Sequence, residues 1–204
     1  FRIRAYKNNG TAKVYSAYVT KTVKTIPSNV KNFKAATKKA KTITLKWAKN
    51  ESADGYVIQQ KNGKKWKKLK TTSSTSYTVK KLKADKEYQF KVRAVVDGAE
   101  GAYSSTLKVE TIPETTSLKL KAGKKQLTAS WSKVSDISGY EIQYSTSKKM
   151  KSAKTVTAKK SAKKTTIKTL AKGKKCYVRI RAYKTVDGKK IYSNWSKAKN
   201  VKVK

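Results

Sequence analysis

The sequence holds no histidine and a single cysteine in 204 residues. Without imidazole it lacks the commonest general base and metal ligand, and one thiol builds neither an internal disulfide nor a zinc site. Cys176 reads instead as a small buried hydrophobe on a strand. Acid is scarce too: eleven carboxylates face 52 lysines and arginines, a formal net charge of +41. Those carboxylates, Glu141 among them, are scattered and mostly beside turns or lysines. That placement suits solvated charges and turn formers, not the close pair of a glycosidase. No glycine-rich phosphate loop, G-x-S-x-G elbow or HExxH motif occurs. The expectation is a chain that is no enzyme and carries neither cofactor nor metal. No apolar run approaches the ~18 residues of a membrane span, no basic-then-apolar leader opens the chain, and no sorting or lipidation signal closes it. A soluble chain without membrane insertion is expected, any export signal lying outside it.

What is present is repetition. Phe1-Arg2-Ile3-Arg4-Ala5, Phe90-Lys91-Val92-Arg93-Ala94 and Val178-Arg179-Ile180-Arg181-Ala182 align at offsets of 89 and 88. Downstream, Tyr15-Ser16, Tyr103-Ser104 and Tyr192-Ser193 keep almost the same spacing, and the first two are followed by Thr-Ile-Pro at Thr25 to Pro27 and Thr111 to Pro113. A period of that length is one small domain. The sequence therefore divides into residues 1–27, the closing F–G hairpin of a truncated repeat, and two complete repeats at 28–113 and 114–204.

Within each complete repeat, short runs alternate apolar and polar residues between turn signals, and no helical period is long enough to assign. Ile43, Leu45 and Trp47 alternate with polar residues, as do Leu127, Ala129 and Trp131. Nine residues after each tryptophan comes Gly-Tyr, at Gly55-Tyr56 and Gly139-Tyr140. Asn62-Gly63, Asp97-Gly98 and Asp187-Gly188 supply tight hairpin turns. Seven strands in ~88 residues is the spacing of an all-β, antiparallel β-sandwich.

The tryptophans Trp47 and Trp131, the G-Y-x-I-Q runs, and Leu82 followed six residues later by Tyr88 together resemble the fibronectin type III family. The Leu–Tyr pair is similar to that family's tyrosine corner. The second repeat departs from it, with Cys176 six residues after Leu170, so the corner's hydroxyl bond has no donor or acceptor there. No Arg-Gly-Asp occurs, which removes support for integrin-type binding. The lysine-rich, cysteine-poor style is similar to tandem modules on secreted and surface proteins of Gram-positive anaerobes. The resemblance implies an extracellular location and a spacer or adhesion role within a larger protein, with neighbouring domains as partners.

Three features bear on function. Arg179, Arg181, Tyr192 and Trp195 resemble the W-S-x-W-S box of cytokine-receptor type III domains. If Val178, Ile180 and Ala182 point inward, both arginines point outward, where guanidinium planes stack on Tyr192 and Trp195, with Arg179 or Lys184 flanking Arg181. Such a ladder is either a ligand platform or packing that stiffens one sheet, and packing weighs more. Trp66 lies outside the core and ladder positions, so it is the candidate contact of an alternative function: an accessory glycan-binding module beside an extracellular enzyme. The third feature is charge, which rises along the repeats as +6, +13 and +22 and is nearly all lysine. Diffuse lysines attract polyanions without reading bases, so anionic cell-wall polymers or glycans are expected partners and specific nucleic acid is not. The same lysines also guard sheet edges and keep the chain soluble.

Overall fold

The structure, a computed structural model, describes residues 1–23 and 25–204. Of the expected segment 1–27, residue 24 lies outside the described residues. Every regular element among them is a β-strand, and all pairings are antiparallel. At the N-terminus, β1 (Arg2–Ile3) pairs with β4 (Val19–Thr20), and β2 (Tyr6–Asn9) pairs with β3 (Ala12–Tyr15). Ser16 N–H donates to Ala5 O at 2.9 Å and ties the two pairings into one hairpin. Every residue of 1–23 is exposed, Phe1 by 91%.

The first sandwich sets one sheet of β5 (Lys34–Lys38), β6 (Ile43–Lys46) and β9 (Ser76–Val79) over another. The second sheet holds β7 (Gly55–Asn62), β8 (Lys65–Thr72), β10 (Glu87–Val96), β11 (Ala99–Glu100) and β12 (Leu107–Glu110). β11 and β12 follow one another along the same edge of β10. The second sandwich repeats the plan. Its smaller sheet is β13 (Leu118–Gly123), β14 (Gln126–Trp131) and β17 (Lys164–Ile167). Its larger one is β15 (Gly139–Ser145), β16 (Lys154–Lys159), β18 (Lys175–Val186), β19 (Lys189–Tyr192) and β20 (Lys199–Lys202).

The period-2 pattern explains which residues lie between the sheets. Leu127, Ala129 and Trp131 on β14 are buried, and Val178, Ile180 and Ala182 on β18 meet them from the other sheet. Trp47 packs edge-on against Tyr56 with ring centroids 5.4 Å apart, and Trp131 packs tilted against Tyr140 at 5.3 Å. Each tyrosine hydroxyl accepts from a backbone N–H, Asn50 at 2.8 Å and Val134 at 2.9 Å, so a large apolar ring is buried without orphaning its oxygen. Each fully buried aliphatic contributes ~2 kcal/mol of transfer free energy, which makes these alternating runs the main determinant of the fold. Asp97-Gly98 and Asp187-Gly188 adopt positive φ at both positions and close β10–β11 and β18–β19 as two-residue turns.

At the base of the first sandwich, Tyr88 Oη accepts from Lys83 N–H at 2.8 Å, and the buried Thr111 hydroxyl donates to Lys83 O at 2.8 Å. This corner abuts the chain's passage into the second sandwich. Two ion pairs bridge there, Lys41 to Glu114 at 2.8 Å and Lys184 to Asp85 at 2.6 Å.

Candidate functional site

Strand β18 places its odd-numbered residues on the outer face, and its register sets Arg179 opposite Gln143 and Arg181 opposite Glu141 of β15. The structure brings Arg179, Arg181, Tyr192 and Trp195 together on that face. The Arg181 guanidinium lies 3.5 Å from the Tyr192 ring centroid and 4.4 Å from that of Trp195, and Arg179 lies 4.5 Å from that of Trp195. Lys184 is not part of this stack, since it reaches Asp85.

The ladder is hydrogen-bonded as well as stacked. Arg181 donates through Nε and Nη2 to Glu141 Oε2 at 3.1 and 2.7 Å, while Tyr192 Oη and Lys190 Nζ donate to Glu141 Oε1 at 3.0 and 3.3 Å. Arg179 makes the same two-pronged contact with Gln143 Oε1, at 3.0 and 2.7 Å. Burial pushes the Glu141 carboxyl up, but the bonds from Arg181, Tyr192 and Lys190 and the Arg181 charge outweigh it and hold it below the ordinary carboxylate range. Tyr192 is pushed up, by burial first and then by its bond to Glu141. Glu141 is therefore no solvated charge: it is buried and bonded on both oxygens, which corrects the expectation from composition. Sequence reading missed it and Gln143 because their partners come from a strand 36 to 40 residues away.

Two serines pin the edge strand where regular pairing lapses between β19 and β20. Ser193 Oγ accepts from Ala182 N–H at 3.0 Å and Ser196 Oγ from Ile180 N–H at 3.1 Å, while their own N–H groups donate to Ala182 O and Ile180 O.

The same register corrects the alignment of the repeats. Ser104 N–H donates to Val92 O, as Ser196 N–H does to Ile180 O, so Tyr103 occupies the place of Trp195 and not that of Tyr192. Glu100 falls where Tyr192 would be. It forms an ion pair with Arg93, whereas in the second sandwich the carboxylate partner of the equivalent Arg181 comes from the opposite strand. The first ladder is completed from β8: Lys91 Nζ sits 4.0 Å from the Tyr103 ring and 4.4 Å from that of Trp66, and Arg93 lies 4.5 Å from Tyr103. Burial, with the neighbouring Arg93 charge second, lowers the Lys91 pKa. Trp66 is half-buried, with one ring face under Lys91. In the N-terminal hairpin, Arg4 stacks on Tyr15 at 3.7 Å and on Tyr18 at 4.6 Å, and Arg2 on Tyr18 at 4.5 Å.

Two sandwiches, each with a tryptophan–tyrosine core, an Arg-aromatic outer face and a strand order that carries the edge strand back beside β10 or β18, match one family. A family model for the fibronectin type III domain matches residues 28–110 and 112–199. The chain belongs to that family. Among solved structures, the fibronectin type III chain is similar to the FN1–FN3 domains of chicken CNTN1, at 18% identity and a TM-score of 0.46, covering 98% of this chain and 76% of that one. It is also similar to a two-domain type III segment of chicken tenascin, at 20% identity and a TM-score of 0.46, covering 86% and 100%. No curated protein matches. Among the described residues no cluster of three metal-ligating side chains occurs, and no helix is long and apolar enough to cross a membrane.

Proposed function

We propose that this tandem of type III domains is a non-catalytic spacer and adhesion segment of a larger secreted or cell-surface protein, and that it associates electrostatically with anionic cell-wall polymers such as those of a Gram-positive surface. One observation carries the reading. All five arginines, Arg2, Arg4, Arg93, Arg179 and Arg181, lie within 4.6 Å of an aromatic ring centroid. Arg93, Arg179 and Arg181 also direct in-plane donors at Glu100, Gln143 and Glu141, so the planar forks of the two sandwiches are committed to the fold. Among the described residues only Lys41, Lys49, Lys184 and Lys190 enter an ion pair, so most of the +41 charge is presented to solvent as point charges. Such a surface holds a flexible polyanion without a defined groove.

The alternative, a glycan-binding module with Trp66 as its contact, must use the ring face that Lys91 leaves open. Titration of teichoic acid or heparin against salt tests the proposal. Log affinity should fall linearly with log salt as counterions are released, residues 114–204 should bind more tightly than 28–113, and polyanion binding should survive Trp66→Ala. Binding that ignores salt and disappears in Trp66→Ala would establish the glycan site instead.

A further inference from the structure

The two sandwiches differ at the base of the larger sheet. In the first, Tyr88 and Phe90 stack with ring centroids 6.4 Å apart and close the end of the core. In the second, the matching residues 88 positions on are Cys176 and Val178, two smaller side chains. Tyr144, which faces Val178 where Gln60 faces Phe90, is half-buried and does not close the space. A cleft of ≈220 Å³ remains. Leu170, Cys176 and Val203 form an apolar part of its floor with Tyr144 as a wall, and the buried Ser145 beside them donates its hydroxyl to Lys151 O at 2.6 Å. Ala171, the counterpart of Lys83, lines it with no phenolic oxygen at its N–H.

The rim has one sign of charge. Lys151, Lys154, Lys174 and Lys175 surround the opening, all exposed, and no carboxylate lines it. Burial pushes the Cys176 thiol up, so the floor carries no thiolate and stays neutral. An apolar slot sized for one ring beneath four ammonium groups selects an amphipathic ligand: a flat ring that excludes water from Leu170 and Val203, and an anionic tail long enough to reach the lysines.

We propose that this cleft is a binding site for a small aryl carboxylate whose ring takes the place of the missing tyrosine side chain. A para-hydroxyl, where present, meets the Ala171 N–H as Tyr88 meets that of Lys83. The site belongs to the second sandwich alone, because Tyr88 fills the equivalent space in the first.

The probe is 4-hydroxyphenylacetate, titrated into the full chain and followed by amide chemical shifts. The expected result is saturable binding below about 1 mM, with shifts confined to Leu170, Ala171, Cys176, Val203 and their neighbours. Cys176→Tyr supplies the ring covalently and should weaken binding at least tenfold while leaving heparin binding intact, which separates this site from the polyanion surface. Lys174→Glu changes an exposed side chain outside the core and should weaken binding several-fold; the neutral alcohol of the same ring should bind more weakly than the acid. Shifts spread over the lysine surface without saturation, undiminished binding in Cys176→Tyr, or equal affinity in Lys174→Glu would each overturn the proposal. If Cys176→Tyr fails to fold, the Lys174→Glu comparison decides alone.

Discussion

Lys184 Nζ lies 2.6 Å from Asp85 Oδ2, joining the second sandwich to the tyrosine-corner loop of the first. The bond to Asp85 raises the Lys184 pKa against the opposing effect of burial. A raised lysine pKa means a contribution present below the ordinary value of about 10.4 and lost as pH climbs through the higher folded value. Lys184→Ala, or strongly alkaline buffer, should broaden the distribution of angles between the sandwiches. Residual dipolar couplings should then fit two independent alignment frames, while each sandwich keeps its own melting temperature.

Glu141 gives the opposite sign. Its folded pKa is depressed, so its contribution is complete above the free carboxylate value of about 4.3 and disappears as pH falls through the folded one. The second sandwich should lose stability in acid, and Glu141→Gln should flatten that dependence. Glu141→Ala, which leaves Arg181 without its carboxylate, should cost about 3 kcal/mol at neutral pH, read as a shift in the denaturant midpoint.

At the corner of the first sandwich, Tyr88→Phe keeps the ring and removes the acceptor for the Lys83 N–H. The expected loss is about 1 to 2 kcal/mol, with an unchanged denaturant slope because the surface exposed on unfolding is the same.

Trp66→Ala removes one of the two rings that hold Lys91. The first sandwich should be destabilised by about 1 kcal/mol, and the Lys91 pKa should move back toward its free value once the cover of the ring is gone. Side-chain nitrogen shifts during a pH titration measure both states.

The N-terminal hairpin exposes Ile3 by 72% and Val19 by 69%. A two-stranded ribbon without a covered face is marginal in water. Amide exchange across 1–20 should be fast at low protein concentration, while residues 87–96 of β10 exchange only on global opening. Equal protection in a dilute monomer would show that the hairpin stands by itself.

Much of the fold was legible because local chemistry writes it. Leu127, Ala129 and Trp131 declare the inner face of β14 by alternation, and Asp187-Gly188 declares a turn by its tolerance of positive φ. The stacking of Arg181 on Tyr192 followed from the same alternation. What stayed hidden depended on register between distant strands. The sequence spacing aligned Tyr103 with Tyr192, and only the bond from Ser104 N–H to Val92 O sets it beside Trp195. Glu141 looked like any surface acid until β15 was laid against β18. The cleft over Cys176 was equally silent, since an absent phenol announces a lost hydrogen bond but not whether a neighbour refills the space.

The F–G hairpins also act as rulers of unequal length. Ala94 O is reached by the N–H seven residues on, at Gly101, whereas Ala182 O is reached eleven residues on, at Ser193, and Ala5 O likewise at Ser16. The middle hairpin has therefore lost two residues from each arm. An even number per arm is what the ladder permits, since antiparallel pairs alternate between hydrogen-bonded and non-hydrogen-bonded and removing one residue per arm would leave the two-residue turn closing on the wrong kind of pair. Length in these hairpins is consequently quantised, and at ~3.3 Å per residue the middle hairpin is ~7 Å shorter than the other two.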